Sequence, residues 1–443
     1  MKGKRWVFAL LGAFLVWLVA ATPAVQAVAR VTGLSSRPQP VKVHWIDTWA
    51  ATPQLTEPAN LPPAPFTTAT SVLANATVRQ TIHVTLGGDQ LRVAFSNAFG
   101  GSDLTITKAV VAQPAGGLAG ARAIVPGTAQ PLTFGGSSSV EIPIGAQVLS
   151  DPVSMSVPRH SNLSVTIYLA QGQTSTSVTS HPGSRTTTWM ISGDHTTDAD
   201  LPGATSTEHW FFISAAQVVA PRDADDVAVL GDSLADGRGS TENGNDRWPD
   251  DLANRLLANA STKEVGVINQ GEGGNCILES PDAGTGCLGP DAFSRLDRDV
   301  ISQPGVKSLI VFEGVNDIGT TPATPAAQQQ VLQELESADQ QIVTQAHAAG
   351  IRVYGATITP FGGNAMYDDP QGLRQQTREQ FNDWMRTSDT FDGVFDFDAV
   401  VRDPTDPGRI LPAFDSGDHL HLTPGGYQAL ADSIPLKDFA TNN

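Results

Sequence analysis

The chain has 443 residues and a formal net charge of −18, which excludes a nucleic-acid partner by repulsion over most faces and disfavours polyanionic substrates. Hydrophobic residues at 40% and charged residues at 16% suit a folded protein, while Gly 42 and Pro 30 imply many turns and long loops. The length exceeds one ordinary core, so two domains are expected.

Lys2, Lys4 and Arg5 precede an apolar run from Trp6 to about Ala21, and small residues then end in Val25-Gln26-Ala27. The run is shorter than the roughly 20 apolar residues of a spanning helix, so residues 1–27 read as an export signal, with a retained anchor as the competing reading. The expected location is secreted or periplasmic, with no stable membrane insertion after cleavage. Residues 28–40 read as a linker.

From 41 to 220 the chain is rich in Thr, Ser, Val and Gly and shows period-two stretches. Val78, Gln80, Ile82, Val84 and Leu86 share one face of an extended segment; Gly87-Gly88-Asp89-Gln90 supplies a turn before Leu91, Val93 and Phe95. Leu163, Val165, Ile167 and Leu169 alternate again. This span is predicted to be an all-β domain of sandwich or jelly-roll type.

The character changes at Arg222-Asp223-Ala224-Asp225-Asp226. Strands are predicted at Val227 to Leu230, Val265 to Ile268, Leu309 to Phe312, Val353 to Ile358 and Val394 to Phe397, each short, apolar and β-branched. Helical stretches lie between them, the clearest from about Ala326 to Ala349 with Gly350 at its end. Alternation of this kind predicts a parallel α/β/α sandwich over 221–443.

Ligands of open parallel sheets bind beyond the carboxyl ends of the strands, and polar motifs fall there. Gly231-Asp232-Ser233-Leu234 follows the first strand, Asn269-Gln270-Gly271-Glu272-Gly273-Gly274-Asn275 the second and Gly314-Val315-Asn316-Asp317 the third, while Asp418-His419-Leu420-His421 lies near the C-terminus. A serine hydroxyl needs a base and a carboxylate that orients the base. Asp418 and His421, three apart on a turn, supply both for Ser233. Acyl transfer also builds negative charge on the carbonyl oxygen, for which the backbone N–H groups of Ser233 and Gly274 and the Asn316 amide are candidate donors.

The ordered set Ser233, Gly274, Asn316 and His421, with Asp418 three residues before the histidine, resembles the SGNH hydrolases, the GDSL-type lipase and esterase superfamily. The resemblance covers about Asp225 to Asp432 and implies a flavodoxin-like three-layer fold. Gly237-Arg238-Gly239-Ser240 through Asn245-Asp246-Arg247-Trp248-Pro249, with Trp45-Ile46-Asp47-Thr48-Trp49-Ala50-Ala51-Thr52-Pro53, is similar to a secreted bacterial branch with an N-terminal β-rich domain. Cys276 stands where that branch often carries a basic residue.

The expected function is hydrolysis of carboxylic esters through an acyl-serine intermediate, on a small-molecule or carbohydrate ester of short acyl length such as acetyl. A neutral His421 base implies activity rising with pH through about 6 to 7. No cofactor is called for. Neither Cys276 nor Cys287 has a second Cys or a His at zinc spacing, so no metal is expected, and in an exported protein the pair is more often a disulfide. An acyltransferase using the same acyl-serine and an inert glycan-binding protein are the rival readings. Isolated roles compete too: Ser233 or Asn316 could cap helices, Gly274 could serve only loop flexibility, and His419 rivals His421 as the base. Asp232 and Asp317 are expected to hold loops through backbone N–H groups, and Trp45, Trp49 and Trp248 are expected in the core rather than stacked on sugar. The oligomeric state and the task of the β-rich span are left open.

Overall fold

The computed structural model describes residues 43–279 and 286–440, so the readings on 1–27 and 28–40 lie outside the described residues. The β-rich span builds two large antiparallel sheets and two smaller ones, Trp210–Phe211 with Thr179–His181 and Gln54–Leu55, and Leu104–Ile106 with Val140–Ile142. In one of the large sheets, Val43–Ala50, Ile213–Pro221, Gly88–Ser96 and Val153–Val157 follow each other, with Gln147–Leu149 also on Gly88–Ser96. In the other the order is Thr205–Thr207, Thr188–Ser192, Ala76–Val84, Ser161–Leu169, Lys108–Ala112 and Gln130–Leu132. Alternation decides which side chains enter the shared core: Val78, Ile82, Val165 and Ile167 from one sheet meet Ile46, Val93 and Phe95 from the other, while the polar residues between them, such as Arg79 and Thr166, are buried outside it. Gln80 lies on the same face as its apolar neighbours. Its amide escapes the penalty of burial by exchanging bonds with one backbone residue, donating to the Phe211 carbonyl at 3.0 Å and accepting from the Phe211 N–H at 2.5 Å.

The turn expected over Gly87 to Gln90 is shorter than predicted, because a strand already runs from Gly88. A Cβ there would lie 2.7 Å from the Val219 carbonyl oxygen. Gly88 therefore serves close strand packing and not a bend.

The second half alternates strands and helices, apart from a short antiparallel hairpin of Arg402–Asp403 and Asp406–Ile410. Strand β1 (Asp225–Gly231) leads to α1 (Ser233–Asp236) and α2 (Trp248–Ala258), β2 (Val265–Gly271) to α3 (Ala292–Leu296), and β3 (Val306–Phe312) to α4 (Val315–Thr320) and α5 (Pro325–Ala348). Then come β4 (Arg352–Ala356), α6 (Leu373–Thr387), β5 (Gly393–Phe395), α7 (Phe397–Val401) and α8 (Pro424–Ser433). These five strands pair in parallel, in the order β2-β1-β3-β4-β5. Helix α5 begins where Pro325 takes its first position and the Thr324 hydroxyl caps the Ala327 N–H, and it is followed by Gly350 at φ 75°. Strands β4 and β5 stop short of their predicted ends. The Asn382 side chain takes the Ile358 N–H at 2.8 Å, and Asp396 caps the Ala399 N–H, turning Phe397 into the first residue of α7. Trp248, fully buried, meets Phe312 and Phe397 edge to face, a contact whose removal to alanine costs about 3–5 kcal/mol. Trp49 is also buried, and Trp45 lies under the Arg92 guanidinium at 4.4 Å.

The described residues form one compact unit. Where the halves meet, the Asp47 N–H donates to the Pro304 carbonyl at 3.2 Å and the Val267 N–H to the Thr85 hydroxyl at 3.3 Å. Arg159 pairs with Glu264 across the same seam. Among the described residues no helix is long and apolar enough to cross a membrane.

Candidate active site

Ser233 opens α1 at the carboxyl end of β1, with Asp232 as N-cap accepting the Leu234 N–H at 2.8 Å. Gly231 lets the helix fold back on the strand, since a Cβ there would lie 2.4 Å from that of Ala235. The Ser233 Oγ is 2.7 Å from Nε2 of His421, and His421 Nδ1 is 2.6 Å from Oδ2 of Asp418. Asp418 Oδ1 also accepts the N–H groups of His421 (2.8 Å) and Leu420 (3.1 Å). The His421 bond, with these backbone donors, holds the Asp418 carboxyl far below the usual carboxylate range. His419 takes a different course: at φ 61° it turns outward and binds Asp415 at 2.6 Å, half-exposed.

The proposed oxyanion donors lie around the same cavity, which Ser233, Gly274, Asn316 and His421 all line. Among the described residues, the Ser233 and Gly274 N–H groups have no acceptor. Gly274 stands at φ 77°, and a Cβ would lie 2.8 Å from the Leu288 side chain, so this position requires glycine. The Asn316 amide is oriented at both ends: Nδ2 donates to the Asn275 carbonyl at 2.6 Å and Oδ1 accepts the Tyr367 hydroxyl at 2.5 Å. One Nδ2 proton remains for a ligand.

Cys276 and Cys287 form a disulfide with Cα atoms 5.7 Å apart, closing the loop that follows Gly274. Within that loop the Leu288 N–H donates to the Gly274 carbonyl at 2.8 Å, and Asn275 Nδ2 donates to the carbonyls of Leu288 (3.0 Å) and Pro290 (2.8 Å). Asp317 accepts the Ile277 and Leu278 N–H groups at 3.0 and 3.1 Å, tying β3's loop to β2's. Burial pushes Asp232 up to about 7 and Asp317 up to about 6.

Three contributions gave no signal in sequence. Arg295 on α3 is fully buried and gathers the strand ends, donating to the carbonyls of Gly231 (3.1 Å) and Gln270 (2.7 Å) and to Asn275 Oδ1 (2.8 Å). Glu272 and Glu313 face this guanidinium, and burial still raises both carboxyls well above their ordinary range. Tyr367, the second, arrives from the loop before α6. The third is Asp236, one turn after Ser233: fully buried, it meets His181 Nε2 at 3.0 Å and Arg185 at 3.3 Å, both from the β-rich half. Against the penalty of burial, the His181 bond and the Arg185 charge hold its carboxyl below the usual range. An isolated histidine or arginine in a β-rich stretch carries no spacing that announces such a partner. Among the described residues no group of His, Cys, Asp and Glu is arranged to hold a metal.

Residues 229–429 match the family model of the GDSL-like lipase/acylhydrolase family. The chain is similar in structure to a GDSL-like lipase from Bacteroides thetaiotaomicron, at 16% identity over 47% of this chain and 85% of that one, TM-score 0.33. It is also similar to a carbohydrate acetylesterase family member from Sinorhizobium meliloti, at 17% identity over 47% of this chain and 94% of that one, TM-score 0.35. Comparison with curated proteins finds no match.

Proposed function

We propose that the protein, whose residues 229–429 form a GDSL-like lipase/acylhydrolase domain, is a secreted or periplasmic serine esterase acting through an acyl-serine intermediate on short-chain carboxylic esters. The observation that carries this reading is the continuous chain Ser233 Oγ to His421 Nε2 to Asp418, with 2.7 and 2.6 Å links. The parallel order β2-β1-β3-β4-β5 supports a flavodoxin-like layering of 221–443, and the shared core of the two antiparallel sheets supports a sandwich over 41–220. The disulfide suits an oxidising compartment.

In the mechanism, Ser233 Oγ attacks the ester carbonyl carbon while His421 Nε2 takes its proton. Asp418 holds the imidazole orientation and stabilises the imidazolium. The developing oxyanion is received by the N–H groups of Ser233 and Gly274 and the free Nδ2 proton of Asn316. His421 then returns the proton to the departing alkoxide. Water, deprotonated by the same base, releases the acid and restores Ser233.

The direct test is labelling with a fluorophosphonate probe together with p-nitrophenyl acetate turnover, comparing the mature protein with Ser233→Ala. The expected result is an adduct on Ser233 and loss of both signals in the variant. Turnover surviving in Ser233→Ala, or a folded protein with neither adduct nor turnover, overturns the reading.

A further inference from the structure

The cavity at Ser233 has a volume of about 660 Å³, within the range of about 300–1,000 Å³ that accommodates a drug-sized ligand. An acetyl group leaves most of it empty. One wall comes from the β-rich half, where Gln54, Glu57, Asn60, Arg185 and His209 line the cavity, and Arg238 lines it from the loop after α1. Glu57 is fixed in place: Oε1 accepts from Gln54 Nε2 at 2.5 Å and Oε2 from Asn60 Nδ2 at 2.8 Å. Each carboxyl oxygen keeps further acceptor capacity. Arg185 is already engaged by Asp236 and Glu242, whereas Arg238 is exposed and its guanidinium has no partner among the described residues.

A fixed acceptor and a free cationic donor on one cavity limit what can fill it. An aliphatic alcohol seated against these groups would displace water from the half-buried Glu57 and return no hydrogen bond to either side chain. An anionic alcohol would suit Arg238 and be repelled by Glu57. Hydroxyl groups, which both donate and accept, satisfy the two together.

We infer that the β-rich half is the receptor for the alcohol part of the substrate, which is polyhydroxylated and saccharide-like, with Glu57 accepting from its hydroxyls and Arg238 donating to them. This rests on the esterase reading above and assigns the β-rich half a part in specificity.

The experiment compares kcat/KM for the acetate esters of ethanol, glycerol and methyl glucoside, in the full chain and in Glu57→Gln and Arg238→Ala. In the unmodified protein kcat/KM is expected to rise at least about tenfold from the ethyl to the glucoside ester. Each variant should lower that ratio about tenfold, through KM for the glucoside. A flat series in a protein that does hydrolyse ethyl acetate, or an unchanged ratio in either folded variant, overturns the receptor and leaves the esterase standing. Failure on all three esters with no Ser233 adduct rejects the esterase reading itself. Should Glu57→Gln lose its fold, the ratio in Arg238→Ala decides alone.

Discussion

The two halves meet at one cavity but contribute to it in different ways. The α/β half places its proposed reactive groups where strands end, so Ser233, Gly274 and Asn316 each sit a few residues past an apolar run, and the roles proposed for them follow from local geometry. The β-rich half contributes from short turns, as with Glu57 after Gln54–Leu55 and Arg185 after Thr179–His181, where nothing local distinguishes them from other polar loop residues. Chemistry that depends on a strand-end loop is written in contiguous residues; a cavity wall is assembled by tertiary packing.

The sharpest test of this division is loss of the nucleophile. Ser233→Ala is expected to lower ester turnover at least about 10³-fold with the fold retained by circular dichroism; a smaller loss would mean that the strand-end loops do not hold the chemistry. Asn316→Ala, which removes one oxyanion donor, should lower kcat by about 10² to 10³-fold. Tyr367 lines the cavity and its hydroxyl is bonded to Asn316 Oδ1; removing that bond in Tyr367→Phe should lower kcat about tenfold with KM little changed. A change confined to KM would mean that the hydroxyl serves substrate binding and not the orientation of Asn316.

Stability tests the seam instead. Asp47 and Asp226 belong to different halves; the buried Asp226 carboxyl has no hydrogen-bond partner among the described residues, while Asp47 is eased by the Gln217 side chain and the Arg92 charge. Burial pushes Asp47 up to about 7 and Asp226 well above its ordinary range, while Asp339 is pushed up to about 8 by burial and Asp317. The folded protein keeps protons that the unfolded chain releases above about pH 4, so these groups make stability fall as pH rises through about 4 to 8. Asp236 and Asp299 are held below the ordinary range by their partners; their contribution is present above about pH 4 and lost in more acidic solution. Tm should therefore peak at mildly acidic pH, and Asp47→Asn should flatten the decline towards pH 8. A Tm that rises steadily from pH 5 to 8 would contradict this. The disulfide gives a further stability test: Cys276→Ser with Cys287→Ser removes about 3 kcal/mol in the chain-entropy model, read as a Tm lower by several degrees, and an unchanged Tm would show that hydrogen bonds alone hold the Gly274 loop.

Much of the α/β half was legible because its strands are short, apolar runs next to glycine-rich loops; helix α5 was legible from its composition and terminal Gly350. The ends of β4 and β5 were not, since Asn382 and the Asp396 cap act through contacts that no periodicity records. The family spacing of Asp418 to His421 already favoured His421 over His419, and the turn that sends His419 to Asp415 gives the physical reason. Arg295 stayed hidden because its worth lies in reaching carbonyls on β1 and β2 at once, a relation between elements rather than a property of α3.

The clasp on Asp236 sets a limit on modularity. An α/β half cut free at Pro221 would leave the Asp236 carboxyl, one turn from Ser233, without His181 and Arg185 and uncovered by the loop around Gly183, and a β-rich half transplanted from another protein would serve only if it brought an equivalent pair. Shuffling at the apparent boundary should therefore yield chains whose Ser233 helix is misplaced even where each half folds.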